Sequence, residues 1–213
     1  MSGPEERAPT ETGGPALDRL LALSDGVFAI AATLLVLDVA IPAGLSPDDY
    51  RQALHDILPP LAAYGLSFLV IVEFWRGHRE IFEYVGRPDT TLTRLALLEL
   101  GLVALLPFPT ALLSEYGDQW QSVAIYSAGV AAVDVVQLAI VLHLKAHPGI
   151  LRTGLPRHVV RALVVELVGT IVVLTAVVVI SYTFTSATKW PWLALIPLKV
   201  AAGRYGRPDE EKG

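Results

Sequence analysis

Cysteine is absent from the 213-residue chain, and charged residues are few. Without cysteine the chain cannot form disulfides, thiolate metal sites or a cysteine nucleophile. Charged residues make up 17% of the sequence, whereas a soluble globular domain carries roughly a quarter. Apolar residues reach 53% and the mean hydropathy is +0.53, so the chain has too few charges to cover a soluble surface of its size. These values predict a membrane protein.

Basic residues and enzyme motifs are scarce as well. Sixteen Lys and Arg against 21 Asp and Glu give a net charge of −5, which argues against a nucleic-acid partner. The sequence contains no His-Glu-x-x-His, no Gly-x-Ser-x-Gly and no glycine-rich phosphate loop after a strand. We therefore expect neither an enzyme nor a nucleic-acid-binding protein, and no bound cofactor.

Long apolar runs, by contrast, are abundant. A helix that crosses a bilayer needs about 20 mostly apolar residues. Six windows meet or approach this length: 20–41, 55–75, 93–113, 120–143, 159–183 and 190–203. The sequence therefore predicts an all-α membrane protein with six transmembrane helices over residues 19–206, between flexible cytosolic tails at 1–18 and 207–213.

The basic residues predict the direction of these spans. If the N-terminus is cytosolic, all of the 16 Lys and Arg except Arg51 and Lys189 fall in segments on the inner side. Basic residues concentrate on the cytoplasmic side of membrane proteins. The alternation from loop to loop predicts that both termini are cytosolic, which requires an even number of spans. The last window is short and contains Lys199, and this charge pattern is what favours it as a sixth span.

A carboxylate marks the first predicted helix, whose start Asp18 is expected to cap. Asp25 lies about a turn and a half inside the inner end, at a depth where a carboxylate needs a partner. Arg19 of the same helix reaches it only obliquely. Better candidates lie at the inner end of the second span: Trp75, Arg76, His78 and Arg79. A polar clasp between two helices is favoured here over a catalytic site.

An apolar stripe follows on the same helix. At about 100° per residue, Ile30, Leu34 and Leu37 share one face. Such a stripe is typical of packing or lipid contact, and a pore wall is the alternative. Thr33 borders the stripe, and its hydroxyl is expected to bond to a carbonyl of its own helix.

Three strings in the chain resemble the transmembrane protein 175 family, whose members are potassium channels of bacteria, archaea and animal endolysosomes. The first runs from Arg19 to Leu37, with Ser-Asp-Gly-Val-Phe-Ala-Ile at 24–30, and departs from the family only at Leu23, where a Phe is usual. Residues 74–82 are similar to the family's Trp-x-x-His-x-x-x-Phe ending of the second helix, and 105–116 to the outer end of its third.

The resemblance implies roles for individual residues. Ile30, Leu34 and Leu37 match stacked apolar pore constrictions, and Thr33 matches a threonine linked to potassium selectivity. The family's inner polar network corresponds to Arg19, Ser24, Asp25, Trp75 and His78. The resemblance also implies a homotetramer in the cell membrane of a bacterium, with four first helices around a central pore for K⁺.

Other polar groups leave alternative functions open. A proton-coupled transporter would use Asp134 or Glu99, and a non-conducting scaffold would use the polar clasp only for structure. Acids within the predicted spans are expected to bond between helices rather than to relay protons: Glu73, Glu99, Asp134 and Glu166. Three histidines are expected to be solvated loop residues rather than metal ligands, because no acidic ligand lies nearby in the sequence: His143, His147 and His158.

Overall fold

Seven α-helices make up most of the regular structure over residues 14–154 and 157–183, which the computed structural model describes. They are α1 (Pro15–Leu34), α2 (Pro47–Asp56), α3 (Leu58–Glu83), α4 (Thr90–Leu105), α5 (Pro107–Glu115), α6 (Trp120–Ala146) and α7 (Arg157–Thr183). Short 3₁₀ segments follow α1 at Leu35–Asp38 and α6 at Pro148–Ile150. In this part of the chain the only β contact is a bridge between Val85 and Leu151.

The prediction of several long apolar helices is confirmed. Among the described residues, four stretches are long and apolar enough to cross a membrane: Pro15–Leu37, Pro47–Glu83, Thr90–Glu115 and Trp120–Ala146. Helix α7 is a fifth long helix, with 27 residues. These five correspond to the first five predicted spans. The predicted sixth span at 190–203 and the C-terminal tail lie outside the described residues.

The first helix has different ends from those predicted. Its N-cap is Gly14 and Pro15 lies in its first turn, so Asp18 is a first-turn residue and not the cap. Proline suits this position because its missing N–H has no partner at a helix start. The helix therefore begins inside the stretch predicted as a flexible tail. Its α-geometry ends at Leu34, and a tighter 3₁₀ turn continues to Asp38.

Prolines divide the third predicted span into two helices. The sequence predicted one helix at 93–113, whereas α4 ends at Leu105 and α5 begins at Pro107. Pro107 and Pro109 have no N–H, so two backbone hydrogen bonds are lost at this point. Just after the break, the Leu106 carbonyl accepts from both the hydroxyl of Thr110 at 2.8 Å and its backbone N–H at 3.1 Å.

Two apolar clusters form the core. One includes Phe28, Phe74 and Leu100, and the other includes Leu20 and Ile81. Along α1, α3 and α4, three buried polar residues fall between the two clusters, namely Ser24, His78 and Glu99, and the buried Gln137 of α6 bonds to Glu99. The bundle therefore has a polar layer enclosed by apolar packing.

Candidate pore surface and inner polar network

One face of α1 is left uncovered by the described part of the protomer. The side chains of Ile30, Leu34 and Leu37 are 60%, 43% and 71% exposed. Phe28, on the opposite side of the helix, is 3% exposed. The stripe that the sequence marked is therefore available to another subunit, to lipid or to water.

The 3₁₀ turn aligns this stripe more closely than a continuous α-helix would. In a 3₁₀ helix residues i and i+3 eclipse each other, so Leu37 lies in line with Leu34. Ile30 lies about 40° from Leu34 at 100° per residue. The rise of the two helix types separates neighbouring members of the stripe by about 6 Å along the axis. Ile30, Leu34 and Leu37 therefore form a stacked edge of the helix, in which each side chain occupies one level along the axis.

Thr33 lies beside this edge and is exposed. Its hydroxyl donates to the Ile30 carbonyl at 2.9 Å, as expected for a threonine in a membrane helix. Donating the hydroxyl proton leaves the lone pairs of the oxygen free to accept. The side chain can therefore coordinate a cation without breaking its bond to the helix.

Asp25 is held by two side chains of α3. Trp75 Nε1 donates to one carboxylate oxygen at 2.8 Å, and Arg79 Nη1 donates to the other at 3.1 Å. The Arg79 guanidinium also lies 5.6 Å from the centre of the Trp75 ring. These contacts fasten α1 to α3, and Trp75 and Arg79 were both among the four candidates from the sequence.

The other residues of the expected network lie elsewhere. The Ser24 hydroxyl is buried and donates to the Leu20 carbonyl of its own helix at 2.8 Å. Arg19 is exposed and makes no hydrogen bond to another described side chain. His78 has no contact with Asp25 and belongs to a separate buried group. The five residues therefore do not form one continuous network within the described protomer.

His78 forms that buried group with Glu99 of α4 and Gln137 of α6. His78 Nδ1 lies 2.9 Å from Glu99 Oε2, and both side chains are fully buried. Gln137 Nε2 donates to Glu99 Oε1 at 2.8 Å and to the Phe74 carbonyl at 3.1 Å. Each oxygen of the carboxylate thus has a partner from a different helix. The group joins α3, α4 and α6.

Sequence reasoning found Glu99 as an intramembrane acid but did not pair it with His78 or Gln137. The remaining intramembrane acids have other surroundings. Glu73 accepts from Arg76 on the same helix at 2.8 Å. Asp134 is buried on α6. The side chain of Glu166 lies outside the described residues.

One expectation about the loop histidines is wrong. The side chain of His143 is only 12% exposed, and its Nε2 lies 2.9 Å and 3.2 Å from the two oxygens of Asp89. Asp89 is distant in sequence, which explains why no acidic neighbour was evident. The His147 ring lies 4.3 Å from that of His143. Among the described residues no group of three such side chains is placed to hold a metal ion, and His158 has no described side chain.

Asp89 has two structural roles, as a helix cap and as a partner of His143. It is the N-cap of α4, where its carboxylate accepts from the Leu92 N–H at 2.7 Å. Chiefly because of this bond, and also because of His143 and His147, the pKa of Asp89 is lowered from its ordinary 3.8, although partial burial acts in the opposite direction. The ionised carboxylate therefore stabilises the junction between α4 and α6.

Comparison with known proteins gives a consistent result. A family profile described as "Endosomal/lysosomal potassium channel TMEM175" matches residues 19–107. A potassium channel of Streptomyces collinus is 45% identical over 130 residues, which cover 59% of this chain and 63% of that protein. A potassium channel of Chamaesiphon minutus is 34% identical over 168 residues, covering 76% of this chain and 79% of that protein.

Vertebrate relatives carry a different name. An endosomal/lysosomal proton channel TMEM175 of Danio rerio is 30% identical over 134 residues, and the match spans only 26% of that protein. The crystal structure of a lysosomal potassium-selective channel TMEM175 homolog from Chamaesiphon minutus aligns with a TM-score of 0.72 at 26% identity. The alignment covers 92% of this chain and 100% of that chain. The chain belongs to the TMEM175 family of ion channels.

Proposed function

We propose that the protein is a potassium-selective channel in the cell membrane of a bacterium, built from four copies with both termini in the cytosol. The observation that carries the proposal is the uncovered face of α1, with Ile30, Leu34 and Leu37 stacked along it. One helix cannot enclose a pore, so several copies of this face must surround an axis in a closed cyclic oligomer. The number four rests on the family resemblance, and the names of the bacterial relatives support K⁺ as the permeant ion.

In this assembly the stacked edge acts as the gate. Each level contributes a ring of branched aliphatic side chains, which water wets poorly, so a narrow ring blocks ions by dewetting. A small outward displacement or rotation of α1 opens the pore. The contacts of Asp25 with Trp75 and Arg79 set the position of the inner part of α1 relative to α3.

Thr33 contributes to selectivity beside this gate. Apolar rings offer no oxygen ligands and discriminate only through the cost of dehydration, which is greater for Na⁺ than for K⁺. A ring of Thr33 oxygens would replace part of the lost hydration. The hydroxyl proton already donates to the Ile30 carbonyl, so its lone pairs are available for this purpose.

Flux into liposomes tests the channel function. Purified protein with an imposed K⁺ gradient is expected to pass fast electrogenic flux without a proton gradient. A coupled transporter would saturate and require its second ion, and a scaffold would pass nothing. Repeating the assay with a pH gradient and no K⁺ tests the proton, which the names of the vertebrate relatives make a second candidate ion.

A substitution at the first level of the stripe tests the gate. Ile30→Asn should raise single-channel conductance because an amide ring is wetted more readily than an aliphatic one. The matched control is Ile125→Asn, since Ile125 is an exposed isoleucine on α6, 46% accessible in the protomer. An equal or smaller current in Ile30→Asn, or the same increase in the control, contradicts the assignment of Ile30 to the constriction.

A further inference from the structure

Two loops are fastened together at the end of the bundle where α1 begins. One joins α3 to α4, and the other joins α6 to α7. The Gly86 N–H donates to the Ile150 carbonyl at 2.9 Å, and the Arg152 N–H donates to the Tyr84 carbonyl at 2.9 Å. These backbone bonds hold both loops in one arrangement and do not depend on side chains.

Glycine at position 86 makes this close approach feasible. A Cβ atom there would lie 3.2 Å from the backbone nitrogen of Arg152 and 3.4 Å from the carbonyl carbon of Leu151. Any larger residue would push the second loop away. The approach brings Arg87 and Arg152, from different loops, to the same cleft.

The cleft has a volume of about 520 Å³, and among the described residues that line it only the two arginines are charged. The lining also includes three glycines, so backbone is accessible there: Gly14, Gly86 and Gly149. Gly14 is also the N-cap of α1, which adds the positive end of that helix dipole. Within the described part of the chain, neither arginine has a carboxylate oxygen in salt-bridge range.

The nearest acidic side chains do not neutralise the cleft from within. Asp89 follows Arg87 closely but accepts from the Leu92 N–H and contacts His143. Arg152 also lines a neighbouring groove with Glu80 and Glu83, and neither of these acids lines the cleft. Among the described residues, the charge that faces the cleft is therefore positive.

We propose that this cleft binds a phosphate group. The planar guanidinium fork matches phosphate oxygens in bidentate geometry, and the two arginines lie on loops whose backbones are hydrogen-bonded to each other. The cleft lies at the ends of apolar helices, the depth at which lipid headgroups are found. The phosphate belongs either to an anionic phospholipid or to a free phosphate compound. This site is independent of ion conduction.

Thermal unfolding of the full chain in nanodiscs tests the site and its source. One arm compares phosphatidylcholine discs with discs that contain phosphatidylglycerol. The second arm adds inorganic phosphate to phosphatidylcholine discs, against chloride at equal ionic strength. We expect a higher Tm in at least one arm. A shift in the first alone identifies a lipid headgroup, and a shift in the second alone identifies a soluble phosphate.

The variants decide whether the shift arises in the cleft. The substitutions Arg87→Gln and Arg152→Gln should each raise, by about tenfold, the phosphate or lipid concentration that gives a half-maximal Tm shift. Arg94→Gln is the matched control, because Arg94 is exposed near the same end but lies outside the cleft. Arg87→Lys keeps the charge but loses the planar fork, so its concentration for the half-maximal Tm shift should lie between those of the wild type and Arg87→Gln. If the glutamine variants do not fold, Arg87→Lys replaces them in the test. No shift in either arm, or an equal loss in Arg94→Gln, overturns the proposal.

Discussion

Neighbouring polar residues on α3 serve different partners because helical side chains point in different directions. Trp75 and Arg79 are four residues apart, and both reach Asp25 on α1. His78 points about 100° away from Arg79, toward α4 and α6. The spacing thus separates the accessible contacts with Asp25 from the buried group of His78, Glu99 and Gln137. The sequence predicted Trp75, His78 and Arg79 alike as candidate partners of Asp25 and did not separate His78 from the other two.

Thr33 is the residue on which the selectivity proposal depends. Thr33→Val keeps the shape of the side chain and removes the oxygen, so the K⁺ over Na⁺ permeability ratio should fall while currents persist. Reversal potentials under bi-ionic conditions measure this ratio. Thr33→Ser keeps the oxygen and is the matched control. Unchanged reversal potentials in Thr33→Val would exclude the hydroxyl from the selectivity mechanism.

Substitutions at Glu99 test whether its buried group is structural or relays protons. In Glu99→Gln the new amide can accept from Gln137 and donate to Nδ1 of His78, so we expect K⁺ flux to persist. Glu99→Leu leaves Nδ1 of the buried His78 without a partner and removes one of the two bonds of Gln137 Nε2, which should cost about 1–3 kcal/mol of stability. Thermal unfolding and liposome flux measure the two effects. Loss of flux in a stably folded Glu99→Gln protein would favour the transporter alternative.

At the scale of elements, a loop carboxylate joins two helices. Asp89 caps α4 and contacts His143 near the C-terminal end of α6. A folded-state pKa below 3.8 means that the ionised carboxylate stabilises the fold at pH values above 3.8. This contribution disappears as the pH falls through the lowered folded-state pKa.

The pH dependence of Asp89→Asn tests this junction. Asparagine also caps helices well, so the substitution removes mainly the charge. We expect the wild type to have the higher Tm at neutral pH and the difference to shrink as the pH falls below 3.8. Asp48→Asn is a suitable control, since that carboxylate is exposed on α2 and pairs with Arg51 of the same helix. A difference that stays constant with pH would contradict the role of the charge.

Hydropathy did not predict two irregularities in the helices, the break between α4 and α5 and the 3₁₀ turn after α1. Pro107 and Pro109 lie in an apolar run long enough to span a membrane, and hydropathy does not register their missing N–H groups. The 3₁₀ turn after Leu34 has no proline of its own and was not predicted. Both deviations change which side chains align along a helix, and this matters most for the stripe on α1.

At the scale of the whole molecule, the proposed pore exists only between protomers. The natural chain has no cysteine, so a single introduced cysteine reports on one position alone. Ile30→Cys should form disulfide-linked dimers on mild oxidation, because four copies would face one axis at a narrow level. Non-reducing gel electrophoresis detects the product.

Ile125→Cys is the control for random collisions in the membrane, since its side chain is exposed on α6. Cross-linking of Ile30→Cys no faster than the control would mean that the stripe faces lipid. Mass measurement of the detergent-solubilised assembly would then show whether four copies associate through another surface.

The sequence by itself determined the membrane class, the presence of several long apolar helices and the apolar stripe of α1, because each depends on composition or on periodicity along one helix. Only the tertiary structure decided that Asp25 contacts Trp75 and Arg79, while His78 contacts Glu99. Such pairs are separated by 21 to 54 positions along the chain. Their contact depends on how each helix is rotated against its neighbours, and this rotation follows from side-chain packing that no local pattern encodes.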